Sequence, residues 1–581
     1  MGILLKKIRI HGFRSLKNVE IDFEPTTVLV GTNNVGKTTL LKSLQLAFTN
    51  SLQINDDDFY FSDNDNCDKI IIDTLIISID EEGNQISEFE DKWSVIFHED
   101  RITFDDDGNQ VVAFRTIVEE NLIRKTFKKK QYIIDSWGLF SDENNGEWYD
   151  KIYDNELSFY FDEIPFYYLD ANRDILDDLK SKTSYLGRIL SSIEYEEGER
   201  RAIEELIKEL NKVTIESSEV LTSLHYTLVE LDTAMDNPNN TIDITPFTKK
   251  LRDLNKGIKI NYSNFSMEYH GMGTRSWSSL LVLKAFINQN LKIANDAELA
   301  YYPIIAIEEP ESHLHPNAQK KLYSQINSII GQKIVSTHSC YIAGSAKLKE
   351  VRGLNKIGEN VQIRKFNESE FNPEDIRKIH RQVINTRGEL FFSRLVILFE
   401  GETEEQALPI LIKKHFNKSI IELGIDFIGV GGSGNYLPFI RFLEAFNIPY
   451  LIFSDNEVEA NTTVTQQISK SKAKDITKVI FLNNGNDFEK ELCLTGYIDE
   501  VKSAYYEIEL SQCANDQHKA AKKIQLDKIE NNEYYELITK LKTQFAPIVA
   551  YELYKSAKPL PQKVLDLCTK INDILNPAND E

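Results

Sequence analysis

The chain has 581 residues, 41% of them hydrophobic, and carries a formal net charge of −24 at pH 7. This length exceeds what one hydrophobic core supports, so we expect several domains. The charge excludes a uniformly basic coat for nucleic acid, although a local basic stripe suffices for phosphate contacts.

The sequence pattern argues against membrane insertion and secretion. No apolar run approaches the roughly 18 residues that cross a bilayer, and the N-terminal MGILLKKIRI alternates like a strand rather than a signal peptide. Five scattered cysteines without C-x-x-C spacing argue against zinc ribbons and disulfide frameworks. We therefore predict a cytoplasmic protein.

The segment GTNNVGKT, residues 31–38, is the first strong motif. It matches G-x-x-x-x-G-K-[ST], follows the apolar strand 28–30 and precedes a helical pattern, which is the context that the motif requires. Loop N–H groups and a helix N-terminus favour phosphate oxygens, so we predict a site for ATP. In it Lys37 would contact the β- and γ-phosphates and Thr38 would hold Mg²⁺. The predicted nucleotide-binding residues of this loop are Gly31, Asn34, Gly36, Lys37, Thr38 and Thr39.

Three later segments complete a phosphate-handling pattern. YHGMGTRSWSSLLVLKAF (269–286) opens an amphipathic helix with two glycines, and we expect Gly273 to meet phosphate from a second subunit. The strand of YYPIIAIEEPESHLHP (301–316) ends in Glu308, predicted at the Mg²⁺, and Glu309, predicted near the attacking water. KIVSTHS (333–339) ends a strand in His338, a predicted γ-phosphate sensor whose alternative is a structural histidine.

The order GTNNVGKT, GMGTRS, IAIEEPESHLHP and STHS resembles ABC-type ATPases of the SMC/RecF kind, over roughly residues 1–390. The resemblance implies heads that sandwich ATP as a dimer. It divides the ATPase into residues 1–175 and 261–390. Between them, helix-period patterns at 176–213 and 217–235 predict a helical insert over 176–260 that helps the heads to dimerise. The alternative is a helical part of the lobe itself.

The second half restarts as a βα unit at LVILFEGETEEQ (395–406). Glu400 ends a buried strand and Glu404 lies in the first turn of the next helix, with Thr403 and Gln406 as a capping box. A strand and glycine turn follow at 425–436. Two further strands each end in carboxylates, which are Asp455 and Glu457 after the first and Asp487 and Glu489 after the second.

Parallel strands that end in carboxylates gather oxygens at one edge of a sheet, where open α/β sheets place their ligands. Such a cluster repels itself unless divalent cations neutralise it, and oxygen ligands favour Mg²⁺ or Mn²⁺. Two cations about 3.5–4 Å apart suit phosphodiester chemistry. The predicted metal ligands are Glu400, Glu404, Asp455, Glu457, Asp487 and Glu489.

The pattern E-G at a first strand, a glycine turn and D-x-D resembles the Toprim fold, with Asp455-Asn456-Glu457 departing from D-x-D. An ABC-type head followed by Toprim resembles the OLD (overcoming lysogenization defect) family of nucleases. The resemblance implies an α/β chain with a Rossmann-like Toprim nuclease domain at 391–500 and a C-terminal helical region at 501–581 that completes it. It also assigns the catalytic roles to Glu400, Glu404, Asp455 and Glu457. A family lysine near a K-P pair maps onto Lys558, with a surface lysine as the alternative.

These observations predict an ATP-regulated, metal-dependent DNA endonuclease or nickase that forms a homodimer or a higher homo-oligomer. The resemblance implies phage defence, as in Gabija-type or retron-associated systems, with a UvrD-like helicase or a reverse transcriptase with its msDNA as partner. The basic stretches 468–478 and 124–130 are candidate contacts for double-stranded DNA, or solvated faces. Competing hypotheses are a non-catalytic RecF-like DNA clamp with a degenerate Toprim domain, and primase or topoisomerase chemistry.

Overall fold

A computed structural model describes residues 2–49, 53–62, 65–121, 126–140, 147–157, 161–181, 183–191, 196–218, 261–262, 265–384 and 387–576. The chain divides into two compact units. The first contains Met1–Phe89, Phe97–Phe159 and Ile334–Glu581, and the second contains Glu90–Ile96 and Tyr160–Lys333. Most of the predicted helix 217–235 and the rest of the insert to residue 260 lie outside the described residues. Within the described ranges, no helix has the length and apolarity to cross a bilayer.

The N-terminal part of the first unit is built on an antiparallel sheet. Its strands and helices are β1 (Gly2–Phe13), β2 (Leu16–Asp22), β3 (Thr26–Val30), α1 (Lys37–Phe48), β4 (Phe61–Ser62), β5 (Asp65–Asn66), β6 (Lys69–Ile79), β7 (Thr103–Phe104), β8 (Gln110–Asn121), β9 (Thr126–Ile133), α3 (Glu147–Asp150) and β10 (Glu156–Leu157). The intervening helix α2 (Asp91–Phe97) belongs to the second unit except for its last residue. The sheet runs β10-β9-β8-β6-β1-β2, with β7 paired to β8. Strand β6 pairs with β1 on one edge and β8 on the other, and its aliphatic run is buried on both faces.

The second unit contains the strand predicted to end in Glu308, which is the Walker B strand, and the helix predicted within 269–286, which is the signature helix. Its elements are β11 (Phe166–Leu169), α4 (Ile175–Lys180), α5 (Tyr185–Ser191), α6 (Glu197–Glu216), β12 (Asn261–Tyr262), β13 (Phe265–Ser266), α7 (Met272–Asp296), β14 (Ile304–Glu308) and α8 (Pro316–Asn327). Strand β11 pairs in parallel with β14, so FYYL and IIAI align side by side. Helices α4 to α6 account for the helical pattern predicted at 176–213.

The chain then returns to the first unit through β15 (Gln332–Ser336), α9 (Cys340–Ala343), β16 (Val351–Ile357), β17 (Asn360–Lys365) and α10 (Pro373–Ile379). Strand β16 pairs in parallel with β3 and antiparallel with β17. The amide of Thr337 donates to the carbonyl of Leu29 at 3.1 Å on the other side of β3. The strand that feeds the phosphate-binding loop is therefore held from both sides.

The C-terminal part contains a four-stranded parallel sheet in the order β19-β18-β20-β21. Its elements are β18 (Leu395–Phe399), α11 (Glu402–Phe416), α12 (Ile420–Leu423), β19 (Ile425–Gly429), α13 (Tyr436–Ala445), β20 (Tyr450–Ser454), α14 (Val458–Ser469), β21 (Val479–Phe481), α15 (Phe488–Leu494), α16 (Ile498–Ser511), α17 (Asp516–Leu526), α18 (Tyr534–Ile538), α19 (Lys542–Lys555) and α20 (Gln562–Leu575). The sheet and its first helix share one core with the last helices, through side chains such as Ile397, Leu411, Phe545 and Leu567.

A buried ion pair ties two strands of the N-terminal sheet together. Asp73 on β6 lies directly opposite Arg115 on β8, and their side chains are only 2% and 1% exposed. Two hydrogen bonds of 2.7 Å join the guanidinium to the carboxylate, and further guanidinium N–H groups donate to the carbonyls of Lys151 and Tyr149. Burial raises the pKa of Asp73, and Arg115 acts in the opposite direction.

We expect Asp73→Ala to lower the free energy of unfolding by about 3–5 kcal/mol, because it leaves the Arg115 charge buried without its counter-ion. Urea unfolding measures the change. The matched control is Glu119→Ala on the same sheet, which removes an exposed pair with Lys69 at 4.0 Å and should cost at most about 1 kcal/mol. Equal losses in the two variants would contradict this account.

Candidate metal centre and phosphate-binding loop

The parallel sheet brings the predicted carboxylates to one point. Strand β18 lies between β19 and β20, so the chain reverses direction of winding between β18 and β20. Ligand sites of open α/β sheets lie outside the carboxyl ends of strands at such a switch point. Glu400 follows β18 and Asp455 follows β20, and the Ser454 hydroxyl donates to Glu400 Oε1 at 2.9 Å. The two strand ends are thereby linked at the predicted site.

Glu404 enters the same site from the first turn of α11. Its side chain is buried, with the residue 4% exposed. The predicted capping box at Thr403 is wrong, because Gly401 is the N-cap of α11. The Thr403 hydroxyl donates instead to Glu489 Oε1 at 2.8 Å. That bond joins the helix after the first strand to the helix after the fourth.

Asp487 and Glu489 close the opposite side of the site. Asp487 caps α15 by accepting from the Lys490 amide at 2.8 Å, and it also accepts from the Tyr535 hydroxyl at 3.1 Å. Glu489 is 1% exposed, and its Oε2 lies 3.3 Å from the ammonium of Lys542. Both Tyr535 and Lys542 belong to the C-terminal helices, which therefore complete the site.

The carboxylates form one electrostatic cluster. Burial raises the pKa of Asp455 to about 9, with added repulsion from Glu404, Glu400, Asp487 and Glu489. Burial likewise raises the pKa of Glu404 to about 7 and raises the pKa of Glu400. The Oδ1 atom of Asp455 is buried without a hydrogen-bond partner. A buried, orphaned carboxylate oxygen among like charges fits a divalent cation as its partner.

The side chains do not stand in a finished coordination sphere. Over the described residues, no three carboxylate, histidine or cysteine side chains converge as a ready ligand set. The fit to a metal therefore rests on the charge, the burial and the orphaned Asp455 oxygen. These residues would hold the cation by small side-chain movements.

Glu457 differs from the other predicted ligands because it is exposed. It occupies the N-cap position of α14 without capping it by its side chain. Asn456 before it is fixed by backbone hydrogen bonds to Asn486 and Gly485 at 3.0 and 2.9 Å, and its side chain donates to Leu482 O at 2.7 Å. The middle residue of Asp-Asn-Glu thus joins the loops after β20 and β21, and Glu457 lies at the rim.

The ammonium of Lys558, whose catalytic role stays a prediction, contacts carboxylates outside the cluster. Its ammonium contacts Glu500 at 2.9 Å, Asp499 at 3.4 Å and the Gly496 carbonyl at 3.0 Å. A side-chain hydrogen bond to Glu500 raises the pKa of Lys558. The lysine that contacts the carboxylate cluster is Lys542. Burial lowers the pKa of Lys542, but Glu489 and Asp487 outweigh burial and raise it overall. No local motif marks Lys542, so sequence reasoning missed it.

Tyr436 was also missed. It opens α13 after the glycine turn and is fully buried. Burial raises its pKa, and the charges of Glu400, Glu404 and Asp455 add to that effect. The glycine turn itself returns to the site through Gly432, whose amide donates to the Glu400 carbonyl at 3.2 Å. Gly431 and Gly432 have φ of 73° and 112°, which favour glycine.

The phosphate-binding loop has the conformation that its glycines permit. Gly36 is the N-cap of α1 with φ 97°, and Asn34 has φ 62°. A Cβ at Gly31 would lie 2.5 Å from the Leu354 carbonyl, so only glycine fits there. The ammonium of Lys37 donates to the carbonyls of Gly31 and Thr32 at 2.8 and 2.9 Å, which holds it over the loop.

Three other predicted nucleotide residues lie near this strand and loop. Thr38 is exposed in the first turn of α1, where its hydroxyl is accessible to a cation. Thr39 is buried and accepts from the Ser15 hydroxyl at 3.5 Å. His338 follows Thr337, which bonds to the strand before the loop, and its ring centroid lies 6.2 Å from that of Phe392.

In the second unit, Glu308 ends β14 and accepts a hydrogen bond from the Tyr168 hydroxyl of the neighbouring strand. The buried Arg173 donates to the carbonyls of Glu308 and Pro310 at 3.1 and 2.8 Å. Glu309 has φ 40°, an uncommon conformation for a residue with a side chain and one that clusters at functional sites. Tyr168 and Arg173 carried no predicted role, yet they hold Glu308 and the backbone on either side of Glu309.

Gly273 lies in the first turn of α7, where a Cβ would come within 2.4 Å of the His313 carbonyl. The glycine therefore allows this helix to approach the turn that follows Glu309. Arg275, two residues later, forms an ion pair with Asp174, which in turn caps α4. Within the second unit, the start of α7 therefore contacts the turn that follows Glu309, through Gly273, and the start of α4, through Arg275.

Two family models match segments of the chain that contain residues of these sites. The family described as "AAA ATPase domain" matches residues 4–343. The family described as "Overcoming lysogenization defect protein-like, TOPRIM domain" matches residues 391–456, the segment that contains Glu400, Glu404 and Asp455. The chain belongs to the OLD family. An α/β fold with an ATPase head followed by a Toprim domain is therefore confirmed, as is the predicted family; the predicted domain boundaries stay predictions.

Two curated relatives match over most of this chain and most of their own length. The chain is 23% identical to "Old nuclease" of Escherichia phage P2 over 497 residues, which cover 80% of this chain and 79% of the relative. It is 21% identical over 507 residues to "Endonuclease GajA" of Bacillus cereus (strain HuB5-5), with 76% and 72% covered. Among solved structures, the C-terminal region of the Burkholderia pseudomallei OLD protein matches 32% of this chain and 99% of that one, at 20% identity and a TM-score of 0.25. The SMC head domain from Thermotoga maritima matches 63% and 100%, at 15% identity and a TM-score of 0.29.

The raised pKa of Asp455 predicts a pH-dependent stability. Its folded pKa of about 9 exceeds the unfolded value of about 3.9, so the folded state binds more protons and loses stability as pH rises between these values. Asp455→Asn removes this loss. Without metal, we expect the variant to have a higher Tm than wild type at pH 8.5 and nearly the same Tm at pH 5. Each gain of about 1 kcal/mol in the free energy of unfolding corresponds to a rise in Tm of roughly 2–4 °C.

Differential scanning fluorimetry at the two pH values measures this difference. The control is Asp573→Asn, at an exposed carboxylate on the last helix, which should not change the Tm at either pH. Mg²⁺ or Mn²⁺ should raise the Tm of wild type more than that of Asp455→Asn. A lower Tm for Asp455→Asn at pH 8.5 would refute the account of a self-repelling cluster.

Proposed function

We propose that this OLD-family protein is an ATP-regulated, divalent-metal-dependent DNA endonuclease or nickase that acts in defence against phage. The observation that carries the proposal is the buried carboxylate cluster at the β18/β20 switch point, with its orphaned Asp455 oxygen. The relation to proteins named nuclease and endonuclease supports phosphodiester hydrolysis as the reaction. Phage defence rests on the family resemblance.

In this proposal Glu400, Glu404 and Asp455 are the principal metal ligands, with Asp487 and Glu489 on the opposite side. Two bound cations would supply an activated water nucleophile and neutralise charge on the leaving oxygen. Glu457, at the exposed rim, reaches the site only from the solvent side, where the DNA must enter. The Ser454 and Thr403 hydroxyls orient Glu400 and Glu489 through the hydrogen bonds that they donate.

Lys542 replaces Lys558 as the cation that acts on the phosphate. Its ammonium is half-exposed and 3.3 Å from Glu489, so it can contact both the cluster and an entering phosphodiester. A fixed positive charge there stabilises the negative charge that develops on the phosphate oxygens. The Tyr535 hydroxyl, which donates to Asp487, keeps that carboxylate turned toward the cluster.

We assign ATP to the loop at 31–38, with Lys37 on the phosphates and Thr38 on Mg²⁺. Glu308 and His338 are proposed to complete this nucleotide site, and Glu309 to position the attacking water. Gly273 is proposed to contact the ATP of a second head in a homodimer or a higher oligomer. A UvrD-like helicase, or a reverse transcriptase with its msDNA, is the proposed partner, and the chain itself favours neither.

The second candidate is a non-catalytic DNA clamp. The exposed position of Glu457 and the absence of a ready ligand set among the described residues favour it. Under this alternative the protein binds DNA and metal without cutting. The same experiment decides between the two.

We expect supercoiled plasmid to be cut in Mg²⁺ or Mn²⁺, and Glu400→Gln to lose more than the roughly 10–100-fold that loss of an outer-shell metal partner costs. The control is Glu405→Gln, an exposed glutamate in the first turn of α11, which should cut at the wild-type rate. Gel analysis of nicked and linear products, with and without ATP, measures the rates. Lys37→Ala should abolish only the effect of ATP. Cutting by Glu400→Gln at the wild-type rate would refute the site, and DNA binding without cutting by wild type would favour the clamp.

A second comparison separates the two lysines. We expect Lys542→Ala to lower the cleavage rate by about 10²-fold or more, as removal of one electrostatic donor does, and Lys542→Arg to retain part of the activity. Lys558→Ala should leave the rate nearly unchanged, because its ammonium pairs with Glu500 and Asp499. Single-turnover cleavage at saturating metal gives both rates. The reverse ranking would restore Lys558 to the catalytic role.

A further inference from the structure

A cation-lined cleft lies in the first unit where the end of the ATPase part meets the Toprim part. It encloses about 500 Å³. Its cations come from β17, α13 and the segment after α14, and they are Arg364, Lys365, Arg441, Lys470 and Lys472. Two carboxylates, Glu370 and Glu444, share the lining. In a chain with a net charge of −24, this concentration of positive charge is local and specific.

The two carboxylates do not neutralise the cleft. Glu444 is held by the Tyr450 hydroxyl and by the Lys472 amide, both at 2.8 Å. Glu370 lies 3.9 Å from the Lys472 ammonium, which is 80% exposed. Exposed ion pairs of this kind contribute little and exchange readily for another anion. Lys365 forms an ion pair with Asp22 at 3.0 Å. The exposed Lys470 and Lys472 are therefore the lysines available to a ligand of negative charge.

The arginines are fixed in place. The Arg441 guanidinium lies 2.8 Å from Asp375 and stacks 5.3 Å above the Phe371 ring. Arg364 has a buried Nε without a hydrogen-bond partner, while another of its N–H groups donates to Gln362. Arg364 lines the cleft and has five N–H donors, more than its bond to Gln362 uses.

The cleft is elongated rather than closed. A second cavity of about 460 Å³ shares Glu444 and Lys472 with it and adds Lys478, whose ammonium lies 4.1 Å above the Tyr450 ring. Cations spread along a trough in this way suit a chain of phosphates better than a single nucleotide, for which the positive charges would converge on one point. From the basic stretch 468–478, residues 470–473 and Lys478 line the two cavities.

Helix α13 connects the trough to the metal centre. It begins at Tyr436, beside the carboxylate cluster, and ends at Ala445 in the wall of the cleft. Ten residues of helix span about 15 Å, which equals roughly four to five nucleotide steps of about 3.4 Å along a duplex strand. The cleft and the carboxylate cluster thus lie at opposite ends of this helix, a separation of a few nucleotides.

We propose that this junction cleft binds the sugar–phosphate backbone of the substrate DNA, a few nucleotides from the scissile bond, without reading its sequence. The inference rests on the proposed function, because it takes DNA as the substrate. In this proposal Arg364 and Lys365 of the ATPase part and the cations of the Toprim part bind the same DNA strand. DNA in the cleft would thus contact both parts of the first unit at once.

The test is DNA binding by Lys470→Ala/Lys472→Ala in a Glu400→Gln background with Mg²⁺, measured by fluorescence anisotropy across a salt series. Loss of two phosphate contacts should weaken binding at least about tenfold in low salt and reduce the slope of log K against log[salt] by about 1.8. The matched control is Lys523→Ala/Lys528→Ala, which removes the same charge from exposed positions outside the cleft. Arg364→Ala, tested separately, should weaken binding of unrelated sequences equally.

An unchanged slope in the cleft variant, an equal change in the control, or no DNA binding by the parent protein overturns the proposal. Competition by ATP or pyrophosphate that is lost in the cleft variant, while DNA binding is retained, identifies a site for a small anion instead. With Glu400 retained, the Mg²⁺-induced rise in Tm should be the same in Lys470→Ala/Lys472→Ala and in wild type, which shows that the metal centre is intact. DNA binding is measured in a variant that does not cut, so the salt dependence can be determined even if the proposed nuclease activity is wrong. If wild type cuts DNA but the cleft variant has an unchanged salt dependence, only the proposal for the cleft is contradicted.

Discussion

Buried carboxylates repel one another, and the C-terminal half of this protein is organised around a cluster of them. Parallel pairing of β18 with β20 forces Glu400 and Asp455 to the same sheet edge, and α11 and α15 bring Glu404 and Glu489 to it. Such a cluster is unfavourable in the metal-free chain, as the raised pKa of Asp455 shows. The remaining scaffold must therefore be stable enough to hold these groups together.

That stability comes from the shared core of the sheet and the C-terminal helices. The same helices provide Tyr535 and Lys542, whose contacts with Asp487 and Glu489 offset part of the repulsion. A polar network of Thr403, Ser454 and Asn456 fixes the loops between them. The region after residue 500 is thus both a structural support and a part of the site, since packing of its apolar faces determines where Lys542 lies.

The nucleotide-binding half follows the same principle with different partners. The P-loop strand is held by neighbours on both sides, and Lys37 rests on carbonyls of its own loop. In the second unit, Arg173 and Tyr168 hold the Glu308–Glu309 turn, in which Glu309 adopts a strained backbone conformation. In both units, residues that belong to no sequence motif hold the motif residues in position.

The sequence by itself determined the fold class, the P-loop, the strand ends that carry Glu400, Asp455 and Asp487, and the family. These features depend on local patterns, because a strand that ends in a carboxylate or a glycine loop before a helix is legible within a few residues. Only the tertiary structure decided that Lys542 rather than Lys558 contacts the cluster, that Thr403 bonds to Glu489 instead of capping its helix, and that Tyr436 lies beside the carboxylates. These contacts join residues far apart in the chain, through packing of helices whose relative positions no local pattern specifies. The junction cleft is of the same kind, since its cations come from separate elements that only the folded chain brings together.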